Sequence, residues 1–125
     1  MAGQATIVAI DDEAEFTSTL REFFSARGYT VHVALTAPTG VELIARHLPQ
    51  VVLVDLKLPG MDGDEVLQLV RRDYPATKVI VITAYNDGGK TRDRLLALGA
   101  FAHYDKPLSS LRDLAETVKR AVAPA

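Results

Sequence analysis

The chain has 125 residues, of which 48% are hydrophobic and 24% charged, with a formal net charge of −2, and this balance excludes a disordered or fibrous protein. It has no cysteine, which excludes disulfides and thiolate sites, and no basic stripe, which argues against direct binding of nucleic acid. No apolar run is long enough for a membrane span and the first residues do not resemble a signal peptide, so we expect one cytoplasmic domain over residues 1–125 without membrane contact.

Five strand-like segments alternate with five helix-like segments. The strand-like segments are short and mostly β-branched or apolar, and cover residues 6–10, 30–35, 51–54, 78–83 and 101–105. Apolar residues at helical spacing follow each strand, over residues 16–24, 41–48, 66–70, 95–98 and 111–122. This alternation predicts an α/β fold with a parallel sheet covered by helices on both faces.

Several residues mark where these elements begin and end. Gly28 is expected to end the first helix in a left-handed conformation, and Thr36 with Pro38 is expected to begin the second. The buried side of the second helix is predicted to consist of Val41, Ile44, Ala45 and Leu48. Strict alternation over residues 30–35 is typical of a strand that is covered on only one face or lies at the edge of the sheet. The helix over residues 91–98 has a small apolar face, so we expect it to be short or mobile.

Carboxylates follow the first and third strands directly. Asp11 and Asp12 come after one strand and Asp55 after the other. If these strands are neighbours in a parallel sheet, the three side chains meet at its carboxyl edge, where open α/β sheets bind ligands. Such a cluster repels itself unless a cation enters or a proton is retained. Oxygen ligands without cysteine favour Mg²⁺ over Zn²⁺.

Four motifs in order then resemble the receiver domain of two-component response regulators, over essentially the whole chain. They are Asp11-Asp12, Asp55 within Asp-Leu-Lys-Leu-Pro-Gly-Met-Asp-Gly, Thr83-Ala84, and Lys106-Pro107. The resemblance implies a flavodoxin-like, doubly wound sheet with strand order 2-1-3-4-5. It also implies a cis Lys106-Pro107 bond.

The resemblance implies that Asp55 is a phosphoacceptor. Its carboxylate would take a phosphoryl group from a phosphohistidine on a histidine kinase or phosphotransfer protein and become an acyl phosphate. Mg²⁺ would be held by Asp12, Asp55 and the backbone carbonyl of Lys57, with Asp11 acting through water. The protein would be a regulatory phosphoacceptor and not an enzyme, apart from self-phosphorylation and slow autodephosphorylation.

The resemblance also implies how the switch operates. Lys106 and Thr83 would each contact a phosphoryl oxygen, and the small Ala84 leaves room for the group. Their movement would change the face of helix four, strand five and helix five. That face would bind a downstream protein target or an attached output domain, and the family often dimerises through it. A stand-alone regulator and a module of a longer chain both fit the sequence.

Some positions depart from the family or vary within it. The family usually has Tyr or Phe three residues before the Lys, where this chain has His103 followed by Tyr104. A smaller, titratable ring suggests an altered or pH-sensitive switch, against the blander interpretation of a structural or partner-facing histidine. Lys57 and Tyr85 occupy positions where the family tunes phosphoryl lifetime. The two other histidines, His32 and His47, are interpreted as solvated.

Three alternative functions compete with this interpretation. Residues 84–91, Ala-Tyr-Asn-Asp-Gly-Gly-Lys-Thr, fit a relaxed phosphate-binding P-loop, although its first glycine is missing. A phosphatase with an aspartyl nucleophile would need an acid two residues after Asp55, where Lys57 stands. A pseudo-receiver would act as an interaction module without accepting phosphate, and the complete acidic, Thr and Lys set argues against it.

Overall fold

The computed structural model describes residues 5–123, which form one five-stranded parallel sheet in the order β2-β1-β3-β4-β5. The strands are β1 (Thr6–Ile10), β2 (Thr30–Ala34), β3 (Val51–Val54), β4 (Lys78–Thr83) and β5 (Ala102–Asp105). The helices are α1 (Ala14–Ser25), α2 (Ala37–His47), α3 (Gly63–Asp73), α4 (Lys90–Ala97) and α5 (Leu111–Val122). The predicted fold class and strand order are confirmed.

The alternating side chains of the strands supply two separate core layers. Residues of β1, β3 and β4 that point to one face pack with α2, α3 and α4, where Ile44, Leu67 and Leu95 are fully buried. The strand residues that point to the other face pack with α1 and α5, where Phe24 and Leu114 are fully buried. Because the central strands are covered on both faces, they need the continuous apolar runs seen in the sequence.

The predicted helix ends agree with the structure in two places. Gly28 has φ +94°, and the N–H groups of Gly28 and Tyr29 donate to the carbonyls of Ser25 and Phe24, which is the Schellman arrangement. Thr36 caps α2 by accepting from the Thr39 N–H. The strand β2 lies at the edge of the sheet, as its alternation predicts.

The predicted buried side of α2 is partly wrong. Ile44 is buried and Val41 partly so, but Ala45 and Leu48 are exposed, and Leu48 is left-handed with φ 46°. Gly40 instead lies on the side of α2 that packs against the sheet, where a Cβ would lie 2.3 Å from Ile10 Cδ1. The close approach of Gly40 to β1 therefore turns the helix away from the expected stripe.

The helix α4 is short, with eight residues, as its small apolar face predicts. Of that face only Leu95 is buried, whereas Leu96 and Leu98 are exposed. Within residues 5–123 no helix has both the length and the apolar character that crossing a bilayer requires.

Candidate functional site

The carboxyl ends of β1 and β3 bring three carboxylates together, as the sequence predicts. Ile10 and Val54 are paired in register, and the N–H of Asp55 donates to the carbonyl of Ile10 at 3.0 Å. One carboxylate oxygen each of Asp11, Asp12 and Asp55 lies within 4.8 Å of the others. Asp11 and Asp55 are buried and Asp12 is exposed, so the cluster opens to solvent on one side.

Lys106 reaches this cluster from the end of β5. Its backbone N–H donates to the carbonyl of Thr83 at 2.9 Å, and the Lys106-Pro107 bond is cis. Its Nζ atom lies 2.6 Å from Asp11 Oδ2, 2.6 Å from Glu13 Oε1 and 3.2 Å from Asp55 Oδ2. One ammonium group therefore forms ion pairs with three carboxylates.

The charges at this edge are strongly coupled. Burial raises the pKa of the Asp11 carboxyl, and Lys106 and the Glu13 N–H only partly oppose this. Burial of Lys106 would lower the pKa of its ammonium, but its contacts with Asp11 and Glu13 outweigh burial and raise it. Lys106 therefore stays charged at neutral pH.

The two oxygens of Asp55 have different surroundings. Oδ1 accepts from the backbone N–H of Lys57 at 3.3 Å, and Oδ2 faces Lys106. Thr83, fully buried at the end of β4, accepts from the Tyr85 N–H through its hydroxyl oxygen at 3.2 Å. A hydroxyl that accepts this hydrogen bond still has its own proton to donate.

The acidic cluster has the donor chemistry of a site for a hard cation. Asp11 Oδ2 is buried and lies 2.6 Å from the Lys106 Nζ, so its charge is met by the same ammonium that also contacts Glu13 and Asp55. The single ammonium of Lys106 leaves the cluster of Asp11, Asp12 and Asp55 with excess negative charge, and a cation there would offset it. All three side chains offer oxygen only, so the donor set fits Mg²⁺.

Gly63 is the last residue of the motif that begins at Asp55, and its backbone packs directly against that of Asp55. A Cβ at Gly63 would lie 2.2 Å from the carbonyl oxygen of Asp55. The N–H of Gly63 donates to the carbonyl of Leu56 at 2.7 Å. The start of α3 is further fixed by Glu65, whose carboxylate accepts from the Asp62 N–H. The spacing of Asp62 and Glu65 is a capping-box pattern that signals this helix start in the sequence.

The segment proposed as a P-loop is arranged differently from a phosphate site. The carboxylate of Asp87 accepts from the N–H of Thr91 at 3.0 Å and from its hydroxyl at 2.7 Å. A carboxylate of the chain itself thus caps the beginning of α4, where a P-loop would bind phosphate. This geometry disfavours the nucleotide-hydrolase alternative.

His103 and Tyr104 point to opposite faces of β5. The hydroxyl of Tyr104 hydrogen-bonds Thr117 on α5, so Tyr104 cannot take the place of the missing aromatic ring. His103 is half-buried beside a cavity of about 180 Å³, which is lined by Arg92 of α4 and by Tyr85 and other residues of the β4–α4 loop. Burial lowers the pKa of His103, assisted by Arg92 and opposed by Asp105.

Two further pairs come together that the sequence did not predict. The Nζ of Lys57 lies 4.8 Å from the ring centre of Tyr85, a cation–π contact between two residues that flank Asp55 and Thr83. His32 and His47, interpreted as solvated, are instead half-buried and stacked, with ring centres 3.7 Å apart. Burial and the neighbouring His47 lower the pKa of His32.

Comparison with known proteins agrees with this geometry. A family model described as "Response regulator receiver domain" matches residues 7–119. The chain is 30% identical over 114 residues to "Sporulation initiation phosphotransferase F" of Bacillus subtilis, which covers 91% of this chain and 90% of that protein. It is 35% identical over 116 residues to "Regulatory protein AtoC" of Escherichia coli, which covers 93% of this chain and 25% of that protein.

A solved structure shows the same architecture. The "response regulator receiver domain protein (CheY-like)" of Methanospirillum hungatei is 30% identical, with a TM-score of 0.88, and the match covers 96% of this chain and 94% of that one. The chain belongs to the response regulator receiver domain family. It is a receiver of two-component signalling, a family of regulatory phosphoacceptors.

Proposed function

We propose that Asp55 is the residue that accepts the phosphoryl group. The observation that carries this proposal is the pairing of the buried Asp55 carboxylate with Lys106, beside Asp11 and Asp12. An oxygen of Asp55 forms the new bond to phosphorus while the bond from phosphorus to the imidazole nitrogen of a phosphohistidine breaks, and the imidazole keeps the electron pair. The donor is a histidine kinase or a phosphotransfer protein.

The acidic cluster holds the Mg²⁺ ion in this proposal. Asp12, Asp55 and the backbone carbonyl of Lys57 bind it, and Asp11 acts through water. When bound, the ion reduces the repulsion between the Asp55 carboxylate and an anionic phosphoryl group. The convergence of the Asp11, Asp12 and Asp55 carboxylates beside a single ammonium supports this assignment.

Lys106 and Thr83 stabilise the product in this proposal. The ammonium of Lys106 pairs with one phosphoryl oxygen, and the hydroxyl of Thr83 donates to another. Ala84, which lines an open groove together with Lys106, leaves space for the group. Because these groups act by charge and position, the chain also takes a phosphoryl group from small donors and loses it slowly to water.

The output follows from the connections of these residues. Thr83 and Lys106 are joined through their backbones at the ends of β4 and β5, so their movement shifts the face made by α4, β5 and α5. We infer that this face contacts a downstream target, an attached output domain or a second copy of the chain. The expected location is the cytoplasm, where histidine kinases present their phosphohistidine.

The proposal is tested by intact mass spectrometry after incubation with acetyl phosphate. We expect the mass of one phosphoryl group to be gained in the presence of Mg²⁺ and not in EDTA, since the metal offsets the repulsion between the two anions. A folded protein that gains no mass under either condition supports the pseudo-receiver alternative instead. Mass gain independent of Mg²⁺ contradicts the proposed role of the acidic cluster.

His103 gives a pH-dependent prediction. Its lowered pKa favours the neutral ring in the folded chain, so the unfolded chain binds more protons near pH 6 and the free energy of unfolding falls as the pH drops below the ordinary value of 6.5. In a ring-proton NMR titration we expect the midpoint of His103 to lie below 6.5. A midpoint at or above that value contradicts the prediction.

The link between His103 and the switch is tested separately. If the ring takes part in the response, the chemical shifts that phosphorylation induces in α4 and β5 differ between the native chain and His103→Phe. Unchanged shifts leave His103 a structural or partner-facing residue.

A further inference from the structure

We propose that Glu13 is a positioning residue that holds Lys106 in the resting state and must release it when a phosphoryl group arrives at Asp55. This role rests on the proposed function and adds a residue that regulates when Lys106 reaches the phosphoryl group. Neither the receiver resemblance nor the acidic cluster assigns Glu13 a role, because its carboxylate lies outside the three aspartates that fit a metal.

The geometry favours Glu13 over Asp55 as the resting partner of Lys106. The Nζ of Lys106 is 2.6 Å from both Glu13 Oε1 and Asp11 Oδ2, and 3.2 Å from Asp55 Oδ2. The same Nζ lies 4.7 Å from the ring centre of Phe16, on the first turn of α1. Contacts with Glu13 and Phe16 therefore draw the ammonium toward α1, away from the oxygen that would accept the phosphoryl group.

The backbone of Glu13 is fixed while its carboxylate can move. Its N–H donates to Asp11 Oδ1 at 2.9 Å, and it is the residue immediately before α1. Its side chain is 64% exposed, whereas those of Lys106 and Asp11 are almost fully buried. Glu13 is thus the member of the Lys106 network that can separate from the ammonium and be solvated at little cost.

Competition between two anions for one ammonium sets the expected effect. A phosphoryl dianion at Asp55 needs Lys106, and every contact that Lys106 keeps with Glu13 opposes that transfer. Glu13→Gln keeps the size of the side chain and removes the charge. The variant therefore releases Lys106 more easily and binds an anionic phosphoryl group more tightly.

The experiment uses beryllofluoride with saturating Mg²⁺ as a phosphoryl mimic, followed by NMR chemical shifts. We expect Glu13→Gln to bind the mimic roughly two- to fivefold more tightly than the native chain, the range that an exposed ion pair supports. Glu15→Gln is the matched control, since Glu15 carries the same charge on the first turn of α1 and forms no ion pair within residues 5–123. We expect this control to bind like the native chain.

A second readout follows Lys106 without any phosphoryl mimic. The ¹⁵N signal of the Lys106 ammonium in the free protein should shift in Glu13→Gln and stay unchanged in Glu15→Gln. Equal affinities for all three proteins, or an unchanged Lys106 signal in Glu13→Gln, overturn the inference while the proposed function stands. If the native chain binds no mimic at all, the proposed function fails with it, and the two failures are distinguishable.

Discussion

If Asp55 is the acceptor, we expect Asp55→Asn to lose phosphoryl transfer from acetyl phosphate by at least about a thousandfold, because an amide oxygen is a far weaker nucleophile than a carboxylate. The fold should be retained, since the substitution preserves the shape of the side chain and removes one of three mutually repelling charges. The rate is measured by intact mass over time at saturating Mg²⁺.

The control for this prediction is Asp105→Asn. Asp105 pairs in register with Thr83 at the same edge of the sheet, but it is exposed and lies outside the acidic cluster. We expect phosphorylation at close to the native rate in this variant. Phosphoryl gain in Asp55→Asn comparable to the native chain would place the acceptor elsewhere and refute the site assignment.

Gly63→Ala should destabilise the fold by about 3 kcal/mol, the upper range for inserting a methyl group into a packed site. The new Cβ would meet the carbonyl oxygen of Asp55 at 2.2 Å, and a backbone atom of a central strand end cannot move aside as a side chain can. The start of α3 must therefore shift away from the site. Urea unfolding measures the change, and we expect the phosphorylation rate to fall as well.

Gly28→Ala separates a steric clash from the general cost of replacing glycine. Gly28 has φ +94°, so alanine there is strained, but no atom lies within 4 Å of the added Cβ. The expected loss is about 1 kcal/mol. If the two variants lose the same stability, the contact between Gly63 and the Asp55 carbonyl is not what constrains this position.

The sheet and the edge that carries the site could be predicted from local pattern. Buried parallel strands are apolar along their length, and the polar residues that end them necessarily share one edge. Asp11 and Asp55 therefore meet once β1 and β3 are neighbours, and that strand order, like the approach of Lys106 and Thr83 to the same edge, was implied by the resemblance to receiver domains. No side-chain detail was needed for that prediction.

What could not be predicted depends on distances between elements far apart in sequence. The contact of Glu13 with Lys106 joins residues 93 positions apart and depends on how the β5–α5 loop approaches α1. The rotation of α2 that exposes Ala45 follows from the approach of Gly40 to Ile10. The stacking of His32 on His47 likewise joins a strand to the end of a helix. The spacing of apolar residues within one segment does not predict any of these contacts between segments.

The division of the core into two layers has a consequence for how such chains diverge. The sheet backbone separates the layer under α1 and α5 from the layer under α2, α3 and α4, so a volume change in one layer is compensated by neighbours in that same layer. The residues of one core layer can therefore change without requiring changes in the other layer. A relative that keeps only 30% of these residues can thus preserve the strand ends between the layers.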